Sequence, residues 1–325
     1  MPVPFRPPPT SAPIYIPASD TWVFSRHADV SSALGAPQLS QPHIADSQDE
    51  QAQHDELKAA VQADIDRLSG HEWLSRMTRS LSETIASATR RKQFDLVADV
   101  IHPWTTMIVV ELNAQPNHAD RLATISRELL LPLGTDSARR QEAGDRAVDE
   151  MIQAGTFALS KSMFFGFTQT LTSFLAKAWL ALLMHPASRE QLIAGAPISN
   201  AAEELLRYAG VVHTVRRAAN ADVRIGAASI RRGQNVTLEV DSANFDPERF
   251  DSPQRLDFTR RAGGHLALGR GLHACVGSYL VRMACSAAIP LFTQSRLILD
   301  PSREIEWTGD RTLLWPVAIP VQLQH

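Results

Sequence analysis

One short segment constrains this chain more than any other feature, because it spaces three glycines, a histidine and a cysteine in a fixed pattern. The pattern is G-x-G-x-H-x-C-x-G, formed by Gly269, Gly271, His273, Cys275 and Gly277. Glycine lacks a Cβ and lets the backbone pass close under a flat ligand. A helical pattern begins directly after the segment, and backbone N–H groups at a helix start favour an anionic sulfur. The sequence therefore predicts a Cys275 thiolate with a lowered pKa, available as a metal ligand.

A second pattern lies upstream, in the segment A-A-E-E-L-L-R-Y. Glu204 and Arg207 stand three residues apart, so on a helix they share a face and can form an ion pair. An ordinary surface pair would have the same spacing. Together the two patterns resemble the cytochrome P450 family in its soluble bacterial form. The resemblance implies that Glu204 and Arg207 are structural residues beneath the haem loop, with Arg249 of N-F-D-P-E-R-F as their third partner.

The resemblance also implies a haem b cofactor, with Cys275 as the axial thiolate ligand of its iron. His273 is then expected at the ring edge, where the haem carboxylates need a donor. Leu268, Gly269 and Gly277 are expected to contact the cofactor as well.

Three further residues are similar to haem-propionate ligands of the family. Arg217 stands five residues before Asp222 and matches the arginine that reaches a propionate, with Arg216 as the one-residue alternative. His54 and Lys58 match an H-x-x-x-R pair on another helix, with lysine in place of arginine. Lysine keeps the charge and loses the bidentate fork, so this match is the weaker one.

Other interpretations of the cysteine pattern remain open. Cys275 has the size of a small buried hydrophobic residue, the commonest role of a lone cysteine. A zinc site built from His265, His273, Cys275 and Cys285 is a weaker alternative, because no pair has the short spacing of structural zinc sites. Cys285 has no glycine frame and is predicted to lie in the core.

Composition and periodicity predict a mainly α protein with small β-sheets. Residues 1–20 are predicted to form a flexible, proline-rich N-terminal segment. Length alone would permit one domain or two, and the resemblance implies a single haem domain over residues 21–325. The net charge of −3 argues against nucleic-acid binding, and two cysteines provide no disulfide framework, so a cytoplasmic location is expected. The longest apolar stretch carries Lys161 and Lys177, which indicates a buried helix and no membrane span.

The chain departs from the family mainly on the side that faces the substrate. It is shorter than typical soluble members, and the missing residues fall at 41–53 and between 113 and 166. These places correspond to the B–C loop and the F/G region of the family. The sequence therefore predicts a reduced distal lid over an otherwise complete haem-binding half.

The distal helix departs as well. The family pattern A/G-G-x-D/E-T falls on Gly166, Phe167, Thr168, Gln169 and Thr170. In the family the second small residue leaves room for oxygen, while the acid and the alcohol deliver protons during oxygen activation. Phe167 fills that room and Gln169 cannot ionise, so the usual acid–alcohol relay is absent. The last four residues are nonetheless predicted to line the distal pocket; plain core packing is the alternative.

These features lead to a haem-thiolate oxidoreductase that acts on a small organic molecule, with monooxygenation in specialised metabolism as the leading interpretation. A peroxide-driven oxidation, a dehydration or a rearrangement stays open, as does a P450-like partner protein without turnover. The substrate is expected to be bulky or carrier-tethered if the pocket is open. A ferredoxin-type electron donor is expected from the arginines that flank the thiolate loop, and the oligomeric state is left open.

Overall fold

A computed structural model describes residues 9–10, 12–42, 47–68, 71–113, 124–125, 137–153, 161–309 and 314–324. The chain is mainly helical with small β-sheets, which confirms the predicted fold class. In chain order the α-helices are α1 His27–Leu34, α2 Ser47–Leu68, α3 His71–Ala88, α4 His102–Asn113, α5 Ser137–Gln153, α6 Lys161–Phe165, α7 Thr172–Met184, α8 Pro186–Ile193, α9 Ile198–Ala209, α10 Val240–Asn244 and α11 Ser278–Gln294.

The strands form one larger sheet, a three-stranded sheet and two hairpins. They are β1 Ile14–Ile16, β2 Thr21–Phe24, β3 Leu39–Ser40, β4 Gln93–Asp95, β5 Thr214–Ala219, β6 Val223–Ile225, β7 Ala228–Ile230, β8 Asn235–Glu239, β9 Leu297–Leu299, β10 Glu306–Gly309, β11 Leu314–Ala318 and β12 Pro320–Leu323. The five-stranded sheet has the order β1-β2-β8-β5-β3, and the three-stranded sheet has the order β4-β12-β9. Strands β6 with β7 and β10 with β11 form the hairpins.

Helix α7 is the centre of the helical core. Every side chain from Thr172 to Leu182 is buried, because the helix is apolar on all sides and packs against neighbours in every direction. A π-helical turn over Gly166–Leu171 leads directly into α7. Such turns occur often at functional sites. A second π-helical turn, Val97–Ile101, precedes α4.

Helix α11 follows the glycine–cysteine segment and packs against α3 and α9. Arg189 of α8 fixes its last turn by donating to the carbonyls of Phe292 and Thr293. A cation near the carboxyl end of a helix satisfies carbonyls that have no partner inside the helix. The segment that carries Cys275 is therefore attached to a well-anchored helix.

The predicted N-terminal boundary is corrected by the structure. Residues Ile14–Ile16, placed by the sequence within the flexible segment 1–20, form β1 and pair antiparallel with β2. The Tyr15 hydroxyl donates to Asp20, which also accepts from Gln234 of the neighbouring strand loop. The folded domain therefore begins before residue 20.

The predicted reduced lid falls largely outside the described residues. At the first of the two places, the structure does not describe residues 43–46. At the second, it does not describe residues 114–123, 126–136 and 154–160. The reduced lid stays a prediction. No helix within the described part of the chain is both long and apolar enough to cross a bilayer.

Candidate functional site

A cavity of about 330 Å³ lies between the π-helical turn before α7 and the glycine–cysteine segment before α11. Its lining is almost wholly apolar: among the described lining residues only Thr170, His273 and Cys275 have a hydroxyl, imidazole or thiol side chain. Thr170 belongs to the helix on one wall, and Cys275 belongs to the loop on the other. The volume is typical of a small-molecule pocket.

The glycines of the loop have the backbone conformation that the sequence pattern predicts. Gly269 and Gly271 have φ of 69° and 72°, a region that residues with a side chain rarely adopt. A Cβ at Gly271 would lie 2.7 Å from the Leu34 carbonyl oxygen. The Cys275 N–H donates to the Leu268 carbonyl across the turn at 2.7 Å. The loop is therefore folded tightly enough to present the Cys275 thiol to the cavity.

The expected lowering of the Cys275 pKa is wrong for the protein without a ligand. Burial raises the pKa of the thiol above its ordinary value. The Gly277 N–H and the Arg282 charge both favour the thiolate, but their effect is smaller. Because a metal ligand must lose its proton, coordination of a metal at Cys275 would release that proton.

The distal motif is divided between the cavity and the core. Phe167 and Thr170 line the cavity, whereas Thr168 and Gln169 do not. The Thr168 side chain is fully buried and donates to the Phe164 carbonyl at 2.8 Å. The Gln169 side-chain nitrogen is buried without a hydrogen-bond partner among the described residues. The prediction that all four residues line the pocket is therefore corrected to Phe167 and Thr170.

Two threonines that the sequence analysis did not select hold the π-helical turn in place. The Thr172 hydroxyl donates to the Phe167 carbonyl at 3.1 Å, five residues earlier in the chain. It also lies 2.6 Å from the buried Thr105 hydroxyl of α4. At Gly166 an added Cβ would meet no atom within 4 Å, so the turn leaves open space there. The sequence gives little sign of the role of Thr105 and Thr172, because a hydroxyl residue on an apolar helix is common.

The residues expected at the haem edge are brought together in part. His54 of α2 is buried, and its ring lies 5.3 Å from the His273 ring, measured between centroids. Arg217 is buried on the face of β5 that also carries Val215, which lines the cavity, whereas Arg216 is exposed. This placement favours Arg217 over Arg216. The Lys58 side chain is exposed and does not line the cavity.

The Glu204–Arg207 pair is buried and bidentate. The two side chains are 3% and 2% exposed, which excludes a surface pair. Arg207 Nε and Nη2 donate to the two carboxylate oxygens at 2.7 and 2.8 Å. The remaining guanidinium N–H groups donate to the carbonyls of Asn244, Pro253 and Arg255. The pair therefore joins α9 to the irregular segment that follows α10.

The third partner of this pair is Arg260, and the sequence prediction of Arg249 is wrong. Arg260 Nε lies 3.2 Å from Glu204 Oε2. The Arg249 guanidinium instead covers the Phe250 ring and occupies the space where a Cβ at Gly264 would lie. Nothing in the sequence spacing distinguishes Arg260 from Arg249 as the partner of Glu204.

A second charged group lies beside the first and was not recognised in the sequence. Glu203 accepts from His265 Nε2 at 3.1 Å and from Arg282 Nε at 2.6 Å. His265 precedes the glycine loop and Arg282 lies in α11, so Glu203 of α9 holds both ends of the Cys275 segment. These contacts, with His265 first, lower the pKa of Glu203 to about 2.

This pKa leads to a prediction for stability. Because the folded-state pKa lies below the ordinary 4.5, ionised Glu203 stabilises the fold above pH 4.5, and the stabilisation falls as the pH approaches 2. Glu203→Gln is therefore expected to lower the free energy of unfolding at pH 7 and to converge on the wild type in acid. Urea unfolding at pH 7, 4.5 and 3 measures this. The exposed Glu190→Gln is the control, and a difference that is independent of pH would contradict the prediction.

The cavity fits a haem group and does not fit the zinc alternative. Haem needs a flat apolar slot with one axial donor, and the cavity provides a single thiol on one wall with apolar side chains around it. Among the described residues no three His, Cys, Asp or Glu side chains gather as a metal site, so His265, His273, Cys275 and Cys285 do not form one. Cys285 is fully buried in α11, and burial raises its pKa to about 12.

Comparison with known proteins agrees with this geometry. A family model described as Cytochrome P450 matches residues 198–295, which include the Glu204–Arg207 pair and the cysteine loop. The 20-oxo-5-O-mycaminosyltylactone 23-monooxygenase of Streptomyces fradiae is 26% identical over 330 residues, covering 87% of this chain and 79% of the relative. Cytochrome P450-SU2 of Streptomyces griseolus is also 26% identical, over 93% of this chain and 88% of the relative. The solved structure of HmtN, a post-tailoring hydroxylase involved in himastatin biosynthesis, superposes with a TM-score of 0.79 at 20% identity, covering 98% of this chain and 95% of that chain.

The fold and the thiol-bearing cavity place this chain in the class of haem-thiolate proteins. The chain belongs to the cytochrome P450 family and is an oxidoreductase of that family. Family membership implies a haem iron with a thiolate ligand.

Proposed function

We propose that this chain is a monooxygenase that binds haem b through Cys275 and oxidises an apolar small molecule in specialised metabolism. The observation that carries the proposal is that Cys275 and Thr170, which belong to different elements, line one apolar cavity. Two compared proteins support the proposal by name: one is a 20-oxo-5-O-mycaminosyltylactone 23-monooxygenase, and the other is a post-tailoring hydroxylase involved in himastatin biosynthesis.

The protein's own residues would hold the cofactor in three ways. Cys275 would supply the sulfur that binds the iron, with its backbone N–H held by the Leu268 carbonyl. Gly269 and Gly277 line the slot without side chains that would obstruct a planar ring. His54, His273 and Arg217 would receive the haem carboxylates at the ring edge, because they supply nitrogen donors on separate elements; His54 and Arg217 are buried, and the His273 ring lies beside that of His54. When bound, haem supplies the oxygen-activation chemistry.

Proton delivery in this cavity would depend on Thr170. Its hydroxyl can accept a proton from water and donate one into the cavity. Among the described residues no carboxylate lines the cavity, and Phe167 occupies the wall next to the hydroxyl. An ionisable relay of the usual type is therefore not available from these residues, and water would feed Thr170 directly.

The apolar lining supports an apolar substrate, because the polar groups of a polar molecule would lose their hydrogen bonds with water on entering the cavity. A bulky or carrier-tethered molecule remains the proposed substrate, with a ferredoxin-type protein as the electron donor. The same absence of a lining carboxylate favours one alternative, a peroxide-driven oxidation, because this route needs fewer protons to be delivered in order.

A substitution at Thr170 tests the monooxygenase proposal. Thr170→Val keeps the shape of the side chain and removes the one hydroxyl that lines the cavity among the described residues. We expect product formed per NADH to fall by about tenfold or more, since a positioned proton donor contributes at least ~10²-fold in many enzymes. Ferredoxin-driven turnover of a macrolide lactone and a steroid, with released peroxide measured in parallel, gives the coupling directly.

Thr168→Val is the matched control, because the Thr168 hydroxyl is buried and bonded to a helix carbonyl. It is expected to leave coupling near the wild-type value. Equal coupling in the wild type and Thr170→Val would refute the role of Thr170. Product formed with peroxide alone, at a rate that NADH does not increase, would replace monooxygenation by the peroxide-driven alternative.

A further inference from the structure

A buried lysine stands on the central helix close to the cavity. Lys177 of α7 is 6% exposed, although an ammonium group is costly to bury unless its charge and its N–H groups are satisfied. Lys177 lies seven residues after Thr170 and three after Phe174, so the three residues fall on nearly the same side of the helix. Thr170 and Phe174 both line the cavity. The lysine therefore extends the cavity-facing side of α7.

The ammonium group is bonded to the opposite wall of the cavity. Lys177 Nζ donates to the Gly210 carbonyl at 2.7 Å and lies 2.9 Å from His213 Nε2. Gly210, Val211 and Val212 connect α9 to β5 and line the cavity. An added Cβ at Gly210 would lie 3.1 Å from the Ala267 Cβ, so this wall is closely packed against the haem loop. Lys177 is thus a tie between the distal helix and the wall.

His213 continues this tie towards the sheet. Its Nδ1 lies 3.9 Å from the Asp241 carboxylate of α10, and its carbonyl accepts from the Asp241 N–H at 3.1 Å. Val240, next to Asp241, also lines the cavity. Lys177, His213 and Asp241 therefore form a chain of charged and polar groups directly behind one wall. We use the name "wall tie" for these three residues.

We propose that the wall tie fixes the position of Gly210–Val212 and so determines which apolar substrates fit, with Lys177 as the positioning residue. This inference rests on the proposed substrate-binding function of the cavity. Lys177 can donate to His213 only while His213 Nε2 carries no proton. Protonation of His213 Nε2 would remove the acceptor for Lys177 and place two cations side by side, which would release the wall.

Ligand affinity rather than turnover tests the wall tie. The probes are imidazoles with alkyl or phenyl groups of increasing size, titrated into haem-loaded protein and followed by absorbance. The wild type is expected to reject the larger probes, whereas Lys177→Met is expected to bind them about tenfold more tightly relative to the smallest, because the hydrogen bonds of a charged donor are lost. The exposed Lys92→Met is the matched control and should keep the wild-type ranking.

A pH series distinguishes a positioning role of the wall tie from a general loss of packing around the cavity. Between about pH 8 and 5, where histidine changes charge, the size ranking of the wild type is expected to weaken. His213→Gln keeps an acceptor for Lys177 and does not titrate, so it should keep the ranking at both pH values. This variant also serves if Lys177→Met does not fold. A ranking in His213→Gln that weakens with pH as in the wild type would overturn the inference, as would a wild-type ranking in Lys177→Met. Absence of any probe binding to the wild type would instead overturn the proposed function.

Discussion

Cys275→Ala is expected to abolish the red-shifted absorption band that thiolate-ligated haem gives when reduced and bound to carbon monoxide. Cys275 carries the only thiol that lines the cavity among the described residues. Its removal leaves an apolar slot with no axial sulfur, so haem would be lost or held by another donor. The measurement is the carbon monoxide difference spectrum of purified protein together with its haem content.

Cys285→Ala provides the control for this experiment. Cys285 is 1% exposed in the core of α11, and burial raises the pKa of its thiol to about 12. It stays protonated at neutral pH and cannot act as a thiolate ligand. The spectrum of Cys285→Ala should match the wild type. An unchanged spectrum in Cys275→Ala would exclude Cys275 as the ligand, whereas wild-type protein that binds no haem would leave the P450-like partner protein as the better interpretation.

The sequence predicted the haem loop well because glycine spacing reports backbone geometry directly. Positive φ at Gly269 and Gly271 admits few other residues, so the pattern fixes the turn and the position of Cys275. The thiol pKa was not predictable in the same way. It depends on how deeply the loop is buried, and burial is set by packing of α3, α9 and α11 that local sequence does not contain.

The sequence predicts that Glu204 and Arg207 form an ion pair, but it does not identify the third residue of the group. The i,i+3 spacing of Glu204 and Arg207 correctly predicts an ion pair, because both residues lie on one helix. The third partner comes from an irregular segment, where Arg249 and Arg260 cannot be distinguished without its path in space. The contacts of Glu203 and of Lys177 also join elements distant in sequence, so a single sequence shows no periodic signal for them.

The distal helix shows the same limit. Helical spacing alone places Phe167 and Thr170, three residues apart, on one face, and Thr168 about 200° away from Thr170. The spacing does not show which face meets the cavity, because that depends on how the π-helical turn at Gly166–Leu171 packs against its neighbours. The short strand at Gln93–Asp95 likewise depends on distant contacts, because its partner β12 comes from the far end of the chain.

The second large effect is expected at the Glu204–Arg207 pair. Glu204→Gln keeps the shape of the side chain and removes the charge, which leaves the buried Arg207 guanidinium without its anion. Loss of one partner of a buried pair costs about 3–5 kcal/mol, and typical domains are stable by only about 5–15 kcal/mol. We expect low soluble yield, poor haem content and a lower midpoint in urea unfolding. Asp257 adds to the effect, since its N–H donates to Glu204 Oε1 at 3.0 Å.

Two arginine variants test the geometry of this pair. Arg260→Ala removes a cation 3.2 Å from Glu204 Oε2 and is expected to destabilise the fold measurably. Arg249→Ala removes an exposed guanidinium that covers the Phe250 ring and should cost no more than about 1 kcal/mol. If Arg249→Ala proved as costly as Arg260→Ala, the partner predicted from the sequence would be the correct one. A guanidinium as deeply buried as that of Arg207 is expected to lose stability when its carboxylate is removed. If Glu204→Gln were instead soluble and haem-replete with an unchanged unfolding midpoint, the pair would not hold the scaffold.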